Sequence, residues 1–401
     1  MKVAAELTRP LGRMRSIGLI AALIGGLGSG AGFYWDREHF YAAYLTAFLY
    51  GLSLSLGCLG IAMIHGMTSG AWGQMIRRIV ESAYATLPLM ALLFLPLLLS
   101  VDHIYEWADD YFVQQHLSVL KKADYLNVVG YQGRAVAYFV IWLVLGWILN
   151  ATSPNDEQGG ETPRSLRRQQ VSGLGFMAYG FTVTLAMVDW AMSLEPEWYS
   201  TMYGLIHIAG QGVCALSLAI VILSKLRSYR PWSRTVTSKR LNDLGSMLLA
   251  AVMFWAYCSF FQYLVIWSGN LPEENEWYVR RSTSGWQYLA IALMLLHFAV
   301  PFLLLLSKSI KRNPVTLGRV ATLLLVMHYV DLYWIVVPGF ERDESQHRLH
   351  LQWQSVPSLL LVSGLWLWAF AGRLAYRIRL PIDDPELKER VNEPIIRTAS
   401  A

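Results

Sequence analysis

Apolar residues along this chain come in long unbroken blocks, such as Leu87 to Val101 and Met247 to Val265, separated by short polar stretches. The blocks show neither the alternation of a half-buried strand nor the narrow stripe of a surface helix. Crossing a bilayer takes roughly 20 mostly apolar residues, because a helix rises about 1.5 Å per residue through a hydrocarbon core about 30 Å thick. Ten blocks meet that requirement. They start near Ser16, Phe40, Ser82, Tyr131, Val171, Ser200, Asp243, Gly285, Val315 and Ser355, and end near Tyr34, His65, Val101, Asn150, Met192, Ser224, Trp267, Ser307, Pro338 and Tyr376. The pattern predicts an all-α, polytopic membrane protein with about ten transmembrane helices.

Composition agrees: 55% of the 401 residues are hydrophobic and only 15% charged, a balance that excludes an ordinary soluble domain. A net charge of +5 raises the question of nucleic acid, but the basic residues are scattered through loops without a long run. Membrane orientation accounts for them. With the N-terminus inside, one side receives Lys2, Arg9, Arg13, Arg15, Arg77, Arg78, Arg164, Arg167 and Arg168. It also receives Lys225, Arg227, Arg230, Arg234, Lys239, Arg240, Lys308, Lys311, Arg312 and the tail from Arg373 to Arg397. The opposite loops hold Arg37, Lys121, Lys122, Arg280, Arg281, Arg342 and Arg348, a bias of roughly three to one that predicts cytoplasmic N- and C-termini. The basic start and the glycines from Gly25 to Gly32 resemble a signal peptide, yet no clear small-residue cleavage site precedes Asp36, so the first helix is expected to stay.

Cys58, Cys214 and Cys258 stand alone in different blocks and make no pair with the spacing of a zinc, cluster or haem-attachment motif. They are expected to pack as small apolar residues. His65, His207, His297 and His328 are buried candidates, either as polar contacts between helices or as ligands of a b-type haem. The chain has no Gly-rich dinucleotide loop either, and the expectation is that it binds no cofactor itself.

The loops expected outside are rich in acids and aromatics, as in VDHIYEWADDYF after the third block and LPEENEWYVRR after the seventh. Trp and Tyr there either sit at the headgroup level or form a docking surface. LLLSVDHIYEW, AMVDWAMSLEPEWY and HYVDLYWIVVPGF each place Val-Asp near the outer end of an odd-numbered helix. That echo suggests two related four-helix bundles, helices two to five (40–192) and six to nine (193–338). The first helix (1–39) and the last helix with its tail (339–401) would be added outside.

Ionisable groups inside such helices carry the chemistry, because each costs roughly 2.5 to 3.5 kcal/mol at the bilayer centre unless it meets a partner or a cavity. His328 and Asp331 lie three apart and share a helical face, with Asp331 about 10 Å below the outer end. The pair suits a proton relay or a quinol hydroxyl partner; the alternative is an Asp bonded to a neighbouring helix. Asp189, Asp102 and His103 lie at similar outer depth and could converge with Asp331. The sixth helix adds a one-sided stripe of Tyr203, His207, Gln211, Cys214 and Ser217, which serves either helix packing or a proton or quinone path. In the seventh, Trp255, Ser259 and Gln262 recur on one face. Proton-path candidates are therefore Asp102, His103, Asp189, His207, His328 and Asp331, and quinol-site candidates Gln262, Trp255 and Tyr203.

FFQYLVIWSGNLPEENEWYVRR resembles the signature region of the integral membrane subunits of alternative complex III, and DWAMSLEPEWYSTMYG resembles the second motif of that family. The two stretches cover about a tenth of the chain, and the shorter, ActF-type subunit is the better likeness. The resemblance implies an NrfD-like, polysulfide-reductase-anchor fold in a bacterial inner membrane, within a complex that oxidises menaquinol or a similar quinol. It also implies as partners a multihaem cytochrome c, an iron–sulfur subunit, a second NrfD-like subunit and small membrane subunits, with cytochrome c or a haem-copper oxidase as acceptor. On this reading the chain scaffolds the complex and contributes a proton path. The alternatives are the quinol-binding subunit itself and a stand-alone secondary transporter. The transporter would call for short, interrupted hydrophobic segments in matching halves, and none is visible.

Overall fold

The computed structural model describes residues 2–152, 163–229, 236–341, 349 and 352–379. It is helical throughout, with no strand among the described residues. Among the described residues ten helices are long and apolar enough to cross a membrane: α1 Arg9–Trp35, α2 Arg37–Thr68, α3 Trp72–Leu99, α4 Val128–Ala151, α5 Leu166–Leu194, α6 Tyr203–Leu226, α7 Ser238–Gly269, α8 Trp286–Leu306, α9 Pro314–Phe340 and α10 Ser355–Ile378. The protein is a polytopic, all-α membrane protein. The face carrying the α2–α3, α4–α5, α6–α7 and α8–α9 connections is called the basic face below, and the other the aromatic face.

Helix starts follow from side chains that accept the first free backbone N–H groups. Asp36 caps α2 through the His39 N–H, Asn127 caps α4 through that of Gly130, and Thr237 caps α7 through that of Arg240. Asn313 caps α9 through Val315 and Thr316. At the far end of α7, Asn270 takes a left-handed conformation that stops the helix, and Pro272 opens the short helix Pro272–Ser282. This segment, expected as a loop, is helical because its acidic first turn and basic last turn suit a helix dipole.

Helix α3 begins about ten residues before the expected Ser82, since its polar first half is helical too. Arg77, Arg78 and Glu81 masked it in the hydropathy pattern. They are tolerated because Glu81 is held by Arg77 at 3.0 Å and by Arg377 of α10 at 2.6 Å. The helix breaks at Ala85 and Thr86, where Pro88 has no N–H to continue the ladder.

Two helices form the centre. In α2, 89% of the most apolar window is buried, and in α6, 78%, against 22% in α8 and 28% in α1. Around α2 lie α3, α5, α6, α9 and α10, while α6 also touches α5, α7 and α9. Gly57 makes the α2–α6 contact intimate, for a Cβ there would stand 2.1 Å from the Gln211 carbonyl oxygen. Helix α1 lies along α10 backbone to backbone, and a Cβ on Gly25 would meet the Leu361 nitrogen at 2.2 Å. Much of the basic C-terminal tail, from Leu380 on, lies outside the described residues.

Candidate functional site

The expected convergence of acids does not occur; the acids separate into three different environments. Asp102 and His103 sit exposed on the short helix Val101–Ile104 at the aromatic face, with the His103 ring 6.2 Å from Tyr41. Asp189, at the aromatic end of α5, is fully buried and held by a two-pronged contact with Arg134 of α4, both bonds 2.9 Å. Tyr138 donates a third bond at 2.8 Å. The same guanidinium donates to the Tyr125 carbonyl and stacks on the Tyr125 ring at 3.9 Å. Burial first, and the Asp189 carboxylate next, push the Tyr125 phenol up to about 12. A carboxylate so compensated is a clamp between α4 and α5.

Asp331 is different. It is 5% exposed, and its hydrogen bond in the protein comes from the Trp255 indole of α7 at 3.2 Å. No ion pair to it occurs among the described residues. One turn along α9, His328 lies near Tyr50 of α2, ring centroids 6.1 Å apart, and near His297 of α8 at 6.4 Å. His297 packs on Trp255 at 4.1 Å. Both ring nitrogens of His297 and of His328 lack a hydrogen-bond partner among the described residues. Gly210 of α6 makes room, since a Cβ there would stand 3.0 Å from the His328 ring.

His207 of α6 continues the series toward the aromatic face. Its Nδ1 donates to the Tyr203 carbonyl at 2.9 Å, because a carbonyl only accepts, and so in the neutral ring Nε2 carries the lone pair. That Nε2 also lacks a partner among the described residues. Tyr203 packs on this imidazole, ring centroids 4.7 Å apart. Three imidazoles and one carboxylate from α6, α8 and α9 thus occupy one buried region, lined by Trp255 and Tyr50. No grouping of His, Cys, Asp and Glu able to hold a metal occurs among the described residues. His65 stands apart at the basic face, packed on Trp72 at 5.3 Å. The α6 stripe points inward as a whole, and Gln211 accepts from Tyr179 of α5 at 2.7 Å.

His297 has a local cause for its position. Helix α8 turns into a π-helix over Leu293–Ala299, which inserts one extra residue per turn and redirects the side chains that follow. Hydropathy carries no sign of this. Arg134, Tyr138 and Glu195 were also missed, for their partners lie far away in sequence.

Toward the aromatic face the two quoted motifs touch each other. Arg281 is 1% exposed, and its five N–H groups are all used: two on Glu195, at 2.6 and 3.2 Å, and one each on the carbonyls of Trp277, Trp334 and Ile335. Trp198 stacks on Trp277 at 4.8 Å, and its indole donates to the Glu274 carbonyl at 3.2 Å. A scan against protein-family models finds no match, and no curated protein is significantly similar in sequence. Gln262, a quinol-site candidate, accepts from Ser200 at 2.7 Å and donates to the Tyr278 hydroxyl at 3.1 Å, so its amide joins the same knot. Burial pushes the Tyr278 phenol up to about 12.

Proposed function

We propose that the chain is the ActF-type membrane subunit of a respiratory quinol-oxidising complex of the alternative complex III kind, and that Asp331 with His328, His297 and His207 moves protons there. The observation that carries this reading is the environment of Asp331: a buried carboxylate with no cation beside it among the described residues, near His328 and His297, whose ring nitrogens find no hydrogen-bond partner among those residues. A group of this kind gains or loses a proton more readily than one fixed by a guanidinium. Asp331 and His328 sit near the middle of α9 and His207 one turn inside the aromatic end of α6, an order suited to relay between the membrane interior and that face. Contact between the two motifs supports treating them as one unit. The bias of basic loops supports cytoplasmic termini, with the aromatic face turned to the periplasm.

In this reading haem and iron–sulfur centres belong to partner subunits, and the quinol is the substrate of the complex. Gln262, Trp255 and Tyr203 are engaged in internal packing or hydrogen bonds, which favours a supporting role over direct quinol contact. The test is to purify the complex from its native membrane and compare the parent with Asp331→Asn. Asn keeps the shape and can still accept the Trp255 bond, but it does not titrate. The expected outcome is an assembled complex with intact haem content and slower quinol-driven proton release. Unchanged rates, or purification without a multihaem cytochrome, would overturn the reading.

A further inference from the structure

From Phe40 to Met63 every residue of α2 is buried except Tyr50, which stays partly exposed. Tyr50 lies about 20 Å along α2 from Arg37, at 1.5 Å per residue, and so belongs to the membrane interior. Its exposure has a cause in the packing. Helices α9 and α10 both pack on α2 but hardly touch each other among the described residues, which leaves a crevice between them. Tyr50 sits at its floor: its ring meets Tyr329 of α9 edge-on, centroids 5.7 Å apart, and a Cβ on the next residue, Gly51, would stand 2.8 Å from Val362 of α10. The neighbouring face of α9 turns outward, with Val326 56% exposed and Tyr329 and Val330 partly exposed. The crevice therefore opens sideways, toward the acyl chains.

Two polar groups at that floor lack partners. The Tyr50 hydroxyl makes no hydrogen bond among the described residues. His328, 2% exposed and 6.1 Å from the Tyr50 ring, has neither ring nitrogen bonded among them. We propose that the crevice takes the head of a flat, lipid-soluble ring bearing oxygen, of the quinone class, with the Tyr50 hydroxyl as its hydrogen-bond partner and His328 behind it. An acyl chain in the same place would leave a phenol and an imidazole unsatisfied in hydrocarbon, which is costly. A ring oxygen removes that cost, because a phenol donates to a quinone carbonyl and accepts from a quinol hydroxyl. The outward valines suit an apolar tail, whereas a dissolved, charged ligand would have to cross hydrocarbon to enter. This assignment rests on the reading of the chain as part of a quinol-oxidising complex, and it moves the ring contact away from Gln262, Trp255 and Tyr203.

The test uses the full chain in phosphatidylcholine nanodiscs and titrates heptyl-hydroxyquinoline N-oxide, a fluorescent ring with oxygen substituents on a short alkyl tail. The parent is expected to quench the probe saturably, beyond empty nanodiscs. Tyr50→Phe removes a hydroxyl that holds nothing in the fold, so its thermal midpoint is expected to match the parent while its affinity for the probe falls about five-fold, the loss of one neutral hydrogen bond. Absence of saturable quenching by the parent, or equal affinity in Tyr50→Phe, would overturn the site. Decanol, a tail without the ring, is expected not to displace the probe; displacement at equal concentration would show that the crevice holds acyl chains instead. Photolabelling of the parent with an azidoquinone supplies a readout independent of variants: label on the peptides of Tyr50 or Tyr329 supports the site, and label confined elsewhere overturns it. Binding by the single chain stands apart from proton release by the complex. A bound probe with unaltered proton release in Asp331→Asn would refute the relay alone, and slowed proton release without probe binding would refute the crevice alone.

Discussion

Replacing Arg134 with Gln is expected to destabilise the protein more than replacing its partner Asp189 with Asn. The two ends of this ion pair are unequally placed: the carboxylate is fully buried, whereas the Arg134 side chain is 22% exposed. Removing the cation strands the buried Asp189 carboxylate without a counter-charge, although Tyr138 still donates to it at 2.8 Å. Breaking a buried pair from one side typically costs roughly 3 to 5 kcal/mol, and the partial exposure of Arg134 places this case near 3 kcal/mol. Removing the carboxylate costs less, because the guanidinium keeps the Tyr125 carbonyl at 2.9 Å and reaches water. Replacing both, as Arg134→Met with Asp189→Leu, leaves no stranded charge and is expected to recover most of the loss. The assay is reversible unfolding of the purified chain in mixed micelles by titration with sodium dodecyl sulfate, followed by circular dichroism. An Arg134→Gln loss under about 0.5 kcal/mol, the scatter of neutral surface substitutions, would refute the reasoning. So would a double variant as unstable as the single one.

Gly25→Leu is expected to detach α1 from α10, since even a Cβ would stand 2.2 Å from the Leu361 backbone; cysteine cross-linking between the two helices would report the loss. Reporter fusions after Arg168 and Ser238 are expected to read cytoplasmic, and one within Glu273 to Glu276 periplasmic; the reverse at Ser238 would invert the orientation. Tyr278 ionises at about 12 in the fold and at 10.0 in a free chain, so its contribution to stability is complete below pH 10.0. That contribution is lost as pH rises toward about 12, and Tyr278→Phe is expected to flatten this part of the stability–pH curve measured by thermal unfolding.

The ten helices were legible because hydropathy reports what a bilayer demands of each segment separately. Where a segment depends on a distant partner, the signal fails. The first half of α3 reads as polar until Arg377, 296 positions away, is seen holding Glu81. Asp189 and Asp331 look alike in sequence, each an acid after Val or Met-Val near the end of an odd-numbered helix, yet Asp189 is held by Arg134 and Asp331 by an indole. The shared face of His328 and Asp331 followed from their spacing. The approach of His297 did not, since it depends on a change of helical pitch in α8 that no periodicity announces. Contact between the two motifs, through Arg281 and Glu195, was likewise invisible, although both stretches stood out in sequence.

The most enclosed helix, α2, is synthesised before α5, α6, α9 and α10, which surround it. For much of synthesis it must therefore live in lipid. Its polar side chains allow this, for Thr46, Ser53 and Ser55 donate to carbonyls four residues back on the same helix, at 2.8, 2.8 and 3.3 Å. They need no neighbour until one arrives. Ser55 then accepts the indole N–H of Trp366 of α10 at 2.9 Å, a bond between positions 311 residues apart. The closing of α10 thus covers a helix that has waited in the bilayer. A chain cut short before Ser355 would keep α1 to α9 but leave that side of α2 uncovered in the bilayer.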